Sequence, residues 1–285
     1  MRFVLDLGGV ALAAGLALGG CSVNTDRYPP PAQCTGSRCD NTGSPPGIKT
    51  TTGSGGGGQG GAGGAGGSGG AAALIDQSGT VHRITSPDFQ DLSTTSYAGL
   101  ATIVALPNAG GTIQAPYGGS NGTTFTLAGV PSGATWLLVQ DQTSGASGII
   151  STFSYARLPV LGAFTLPVIE SGALDTVASA LPTVVTKGVS PLVAQVILLV
   201  AQNGSPFEGV SVTGGSGGAQ IAYDSGAGYS DSATATGPGG AIILFNAGLS
   251  GLSTITLTDA ATSKTYGVEV QAAPGTATLA SVELQ

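Results

Sequence analysis

Thr254-Ile255-Thr256-Leu257-Thr258 and, a short turn later, Tyr266-Gly267-Val268-Glu269-Val270 alternate apolar with polar or small residues. In an extended chain successive side chains point to opposite faces. Ile255 with Leu257, and Tyr266 with Val268 and Val270, therefore line one face toward a core. Short apolar runs of the same texture extend outward from this pair. Toward the N-terminus they occupy residues 79–85, 101–106, 124–128, 135–140, 149–155 and 163–169. Beyond a gap they resume at 194–201, 210–213, 220–223, 241–245, 253–258, 266–271 and 278–284. Gly, Pro, Asn and Asp mark the turns between them. Short strands at such spacing predict an all-β chain of two sandwich modules, 74–170 and 191–285.

Between the modules, 171–190 reads as a connector, either a loop or a short helix. In the helical reading Ser171 caps it, Leu174, Val177 and Leu181 share a face, and Pro182 ends it. Residues 21–73 read differently. Pro29-Pro30-Pro31 and Ser44-Pro45-Pro46-Gly47 precede a tract in which 13 of the residues from Gly53 to Gly70 are Gly. A segment so poor in apolar side chains predicts a disordered tether, with an r.m.s. reach of roughly 40 Å for about fifty residues.

The halves share a motif. Phe125-Thr126-Leu127-Ala128-Gly129-Val130-Pro131-Ser132-Gly133 leads into Ala134-Thr135-Trp136-Leu137-Leu138-Val139 and ends near Asp141. Leu244-Phe245-Asn246-Ala247-Gly248-Leu249-Ser250-Gly251 leads into Leu252-Ser253-Thr254-Ile255-Thr256-Leu257 and ends near Asp259. Gly133 to Asp141 and Gly251 to Asp259 are equal spans. The second half also holds Gln202-Asn203-Gly204-Ser205-Pro206-Phe207-Glu208-Gly209-Val210-Ser211-Val212. These stretches resemble the carboxypeptidase-regulatory-like, or transthyretin-like, group of β-sandwich domains. The likeness implies Ig-like modules used as spacers, adhesive elements or accessory domains. The chain departs from that pattern in its first half, which lacks the opening motif, and in a Gly-rich insertion at 214–240.

The N-terminus carries an address. Arg2 is followed by an uncharged run from Leu7 to Gly20. As a helix it spans roughly 21 Å, short of the about 30 Å hydrocarbon core, and it fits a signal peptide over residues 1–20. Leu18-Gly19-Gly20-Cys21 resembles the lipobox of bacterial lipoproteins. That resemblance implies diacylation of the Cys21 thiol, cleavage before it, and attachment to a membrane by two or three acyl chains, enough to hold firmly. Ser22 stands where an Asp commonly signals inner-membrane retention, so the expected location is the envelope, favouring the outer membrane.

Composition narrows the function. Only 8% of the 285 residues are charged, and the formal net charge is −7. The few basic residues are scattered, which excludes a phosphate-binding surface and hence a nucleic-acid partner. Cys34 and Cys39, in an exported segment, are expected to form a local disulfide. A metal site there would need further soft ligands, and the single His lies far along the chain. No cofactor or metal is expected, and no catalytic residue is assigned. His82, in Val81-His82-Arg83-Ile84, reads as a structural histidine on an edge strand, with no Gly-x-Ser-x-Gly elbow to accompany it. Asp224 and Asp231 flank a Gly- and Ser-rich loop that reads as polar loop before calcium site. Trp136 and Phe125 read as core before sugar platform. Lys187, Asn246 and Glu208 supply the residue types of an isopeptide cross-link, without a spacing that supports one. The expected function is a non-catalytic envelope lipoprotein with structural, adhesive or protein-binding modules. The competing expectation is a carbohydrate- or peptide-binding lipoprotein using the 214–240 insertion or an aromatic near Trp136.

Overall fold

The computed structural model describes residues 48–50, 72–107, 111–143, 146–183 and 192–285. They lie in one compact unit, Cys34–Gln285. The lipobox at 18–21, the pair Cys34 and Cys39, most of the tether and Lys187 lie outside the described residues.

The first strands in chain order are β1 (Ile48–Thr50), β2 (Leu74–Ile84), β3 (Ala101–Pro107), β4 (Ile113–Tyr117), β5 (Phe125–Pro131), β6 (Gly133–Asp141), β7 (Ile149–Ile150), β8 (Thr152–Leu158) and β9 (Thr165–Glu170). Helix α1 (Ser171–Ala180) follows. Then come β10 (Ala194–Gln202), β11 (Ser205–Pro206), β12 (Val210–Gly214), β13 (Gln220–Asp224), β14 (Tyr229–Ser230), β15 (Ala241–Ala247), β16 (Gly251–Asp259), β17 (Thr265–Ala272) and β18 (Ala277–Leu284). The fold is all-β.

A ten-stranded sheet runs β14-β13-β15-β10-β18-β8-β6-β3-β4, with β11 folded back onto β10. Two four-stranded sheets, β1-β17-β16-β12 and β5-β2-β9-β7, pack against it. Consecutive residues of β6 reveal the layering. Trp136 joins a core with Val196, Leu198, Ile255, Leu257 and Val268. Leu137 and Val139 join another with Val81, Leu127 and Leu166. Neighbours along a strand point to opposite faces, so the small sheets cover opposite faces of the large one. The two halves meet where β8 and β18 pair in parallel, Thr152 with Ala277 through Ser154 with Leu279.

The alternating strands behave as their pattern demands. Ile255, Leu257, Tyr266, Val268 and Val270 are all buried. β10 is an almost unbroken apolar run, as expected of a strand enclosed on both faces. It pairs antiparallel with β15 and parallel with β18.

Four details depart from the sequence-based expectation. The run 149–155 breaks at Ser151 into β7 and β8, which belong to different sheets. The Thr152 hydroxyl bridges the break, donating to Ile150 O at 2.7 Å and accepting from Ile169 N at 3.1 Å. β4 has no counterpart among the expected strands and carries Pro116. It lies at the sheet's edge, where a missing N–H costs least. The insertion 214–240 contains β13 and β14, which widen the large sheet rather than forming a free loop. Ser171 does not cap α1: Glu170 holds that position, and the Ser171 hydroxyl donates to Gly148 O at 3.2 Å. The helix itself buries Leu174 and Val177, and Leu181 just beyond it is buried too.

The repeated motif places a sheet-to-sheet crossing in each half. β5 passes from a small sheet into β6 of the large one, while β15 passes from the large sheet into β16 of the other small one. Gly133 and Gly251, with φ of 120° and 71°, turn the chain at these crossings. Asp141 and Asp259 end both motifs as turn acceptors, taking Thr143 N at 3.1 Å and Ala261 N at 2.9 Å.

Phe153 is 3% exposed and sits at the β8–β18 seam. Phe153→Ala is expected to cost about 3–5 kcal/mol in urea denaturation. Because the sheet is continuous, Trp136 fluorescence and far-UV circular dichroism should report one coincident transition. Separate transitions would mean that the halves fold independently.

Candidate functional site

Carboxylates are the main chemistry-bearing groups of the described residues, and most are spent on backbone N–H groups. Asp76 accepts from Gly129 N at 2.9 Å and Asp88 from Gln90 N at 3.1 Å. Asp224 accepts from Gly226 N at 3.0 Å and, more closely, from Gly239 N. Asp231 accepts from Thr183 N at 2.9 Å and from the Thr183 hydroxyl. Those two bonds hold the exposed Asp231 carboxyl below the usual carboxylate range. Asp224 and Asp231 thus serve separate clamps and do not converge. Among the described residues no three of His, Cys, Asp and Glu gather as a metal site would require.

His82 lies inside its sheet rather than at an edge. β9 pairs with that part of β2 on one side, and Ser96 bridges His82 on the other. Its ring is wired to the following loop: Nδ1 contacts Ser93 O at 2.7 Å and Nε2 the Ser96 hydroxyl at 3.3 Å. Beside it the Arg83 guanidinium donates to Glu170 at 2.6 Å and lies over the Tyr97 ring. Trp136 and Phe125 are buried, at 6% and 2% exposure, so neither forms a surface platform. Trp136 packs edge-on to Tyr155, whose hydroxyl burial pushes up to about 12. Asn246 is held by Gln195 and Gln220: its backbone N donates to Gln195 Oε1 at 3.0 Å and its amide contacts Gln220 Oε1 at 3.4 Å. Glu208 has no part in these bonds.

A groove of about 560 Å³ gathers residues from three separate segments. Asp88 and Gln90 come from the loop after β2, Thr176 and Ala180 from α1, and Asp224 and Tyr229 from the 214–240 insertion. The loop is pinned against the insertion. Gln90 Nε2 donates to Gly239 O at 3.1 Å, and the fully buried Phe89 meets the Tyr229 ring edge-on at 6.2 Å. Phe89 adopts φ 58°, a conformation uncommon for an aromatic residue and sustained here by its burial. The exit of α1 is tied down in turn, since Gln220 Nε2 donates to Thr183 O at 2.6 Å. Tyr229 is raised well above its ordinary value, first by burial and then by the Asp224 and Asp88 carboxylates. The groove thus lines a phenol, neutral at pH 7 as any tyrosine is, together with two acids, Asp88 and Asp224. This suits hydrogen bonding to an uncharged polar ligand better than anion binding.

Of this groove, the amino-acid sequence marks the 214–240 insertion, with Asp224 and the loop through Tyr229, and Val177 on the helix face. Nothing in one sequence brings Ser86-Pro87-Asp88 beside Asp224 and Tyr229, more than a hundred positions away.

No family model matches the chain, and no curated protein matches it. Among solved structures it is similar to one titled "Structure of the Streptococcal ancillary pilin". The match has 11% identity over 73% of this chain and 68% of the other, with a TM-score of 0.19. A superposition that loose supports no conclusion about this protein.

In a spectrophotometric titration Tyr229 should ionise well above the ordinary tyrosine value of 10.0, and Tyr229→Phe should reduce the late-ionising amplitude by one tyrosine, leaving that of Tyr155. Its proton is bound more tightly in the folded chain. The associated stability is therefore complete below pH 10.0 and is lost as pH rises through the folded value. Asp88→Asn should bring the late step part of the way back down.

Proposed function

We propose that the chain is a lipid-anchored envelope protein whose all-β body serves as a non-catalytic structural, adhesive or protein-binding element. One observation carries this reading: Leu18-Gly19-Gly20-Cys21 closes an uncharged apolar run at the N-terminus. Acylated Cys21 is the anchor, and Cys34 with Cys39 forms a small disulfide loop in the tether. The membrane is the partner reached through lipid, and the body meets an envelope protein or glycan. The outer membrane is the favoured location. The use of acidic side chains as turn clamps, and of His82 as a loop fastener, supports a body without catalysis. The crossing after Asn203-Gly204 supports assigning the second half to the carboxypeptidase-regulatory-like group. There the chain passes from β10 through β11 to β12 in the small sheet.

The groove favours a second reading, binding of a neutral oligosaccharide or short peptide, because the 214–240 insertion supplies Asp224 and Tyr229 to it.

Intact mass and N-terminal analysis of protein from its native envelope should find Cys21 first, with a diacylglyceryl mass increment. Cys21→Ser should leave the protein outside the membrane fraction. A native chain that still begins at Met1 would end the lipoprotein reading. For the second reading, a glycan and peptide array probed with the protein should give hits that Ala180→Arg, which fills the groove, abolishes. A silent array rejects it.

A further inference from the structure

β1 is far from the other strands in sequence and joined to one of them in space. Ile48, Lys49 and Thr50 pair antiparallel with Val268, Gly267 and Tyr266. β17 is paired on its other side with β16 along its full length, Gly251–Thr258 against Thr265–Ala272. The small sheet therefore ends in a segment of the tether.

The pairing has a local cause. Gly47-Ile48-Lys49-Thr50-Thr51-Thr52-Gly53 is the one place in residues 22–73 where β-branched residues run together. Such residues favour extended backbone. Pro45-Pro46 and the Gly tract bound the run on either side in sequence.

We propose that the outer edge of β17 is the surface by which the tether attaches to the body, with Ile48–Thr50 as its occupant. This rests on the anchor reading above and deepens it. With the clasp closed, the leash is residues 22–47. A chain of about 26 residues reaches roughly 28 Å, against roughly 40 Å for all of 22–73. Pull from the membrane then enters the body at β17, in the C-terminal half, and not at Leu74 where β2 begins. The clasp also fills an edge that would otherwise accept a strand from another molecule.

The test uses the full chain carrying Lys49→Pro with Thr50→Pro, against a Lys49→Ala with Thr50→Ala control. In an antiparallel pair one of two adjacent N–H groups faces the partner, so the double proline removes it whichever it is. Hydrogen exchange should be at least tenfold faster at the β17 amides facing β1 in the proline chain than in the alanine chain. Those facing β16 should stay protected in both. Equal exchange in the two chains overturns the clasp. On a supported bilayer of phosphatidylethanolamine and phosphatidylglycerol, neutron reflectometry should find the body of the lipidated proline chain farther out by roughly 10 Å. An unchanged height, with exchange altered, overturns the shortened leash. If neither chain is retained by the bilayer, the anchor reading fails, and the exchange result still decides the clasp.

Discussion

The parallel pairing of Thr152–Ser154 with Ala277–Leu279 is the joint on which the architecture depends. Without it the chain would be two separate sandwiches, each with an open edge of apolar strand. With it β8 and β18 become interior strands of one sheet, and side chains of β6 and β8 can serve a core on each face. Trp136 and Phe153 enter one core while Leu137 and Leu158 enter the other. Close packing across both faces then couples the two small sheets through a single layer.

Few as they are, the charged side chains of this protein are used largely on its own backbone. Here Asp, Ser and Thr do that work at turns and strand breaks. Asp141 and Asp259 close equivalent turns, Thr152 bridges a strand interruption, and Asp224 and Asp231 fasten the segment that bears β14. Carboxylates engaged in this way hold loops in place. The groove between α1, the β2 exit loop and the insertion is held open by the same fastening, and Tyr229 lines it with Asp88 and Asp224.

Legibility followed the range of the interaction. Ile255, Leu257, Tyr266, Val268 and Val270 could be assigned to a core because alternation is a property of adjacent residues. The turns at Gly133 and Gly251 were readable for the same reason. Ile48–Thr50 left a local trace, a β-branched run in a Gly- and Pro-rich desert, which gains meaning only once β17 is seen to receive it. β4 carries Pro116, and whether a proline is tolerated in a strand depends on the strand's lying at an edge, which tertiary structure decides. The groove was legible only in part: the 214–240 insertion and its loop from Asp224 to Tyr229 are contiguous in sequence, whereas the company of Asp88 and of α1 depends on contacts far apart in the chain.

From the amino-acid sequence alone came the all-β class, the approximate strand positions, the burial of Trp136 and Phe125, and the lipobox expectation. Each rests on side-chain periodicity, residue volume or a contiguous motif, all carried by neighbours in the chain. The tertiary structure decided which strands share a sheet, that the two halves join at β8 and β18, and that His82 fastens a loop. It also decided that Ile48–Thr50 pairs with β17. Strand pairing is made by backbone groups that every residue carries, so the choice of partner is settled by how the buried faces pack together in three dimensions.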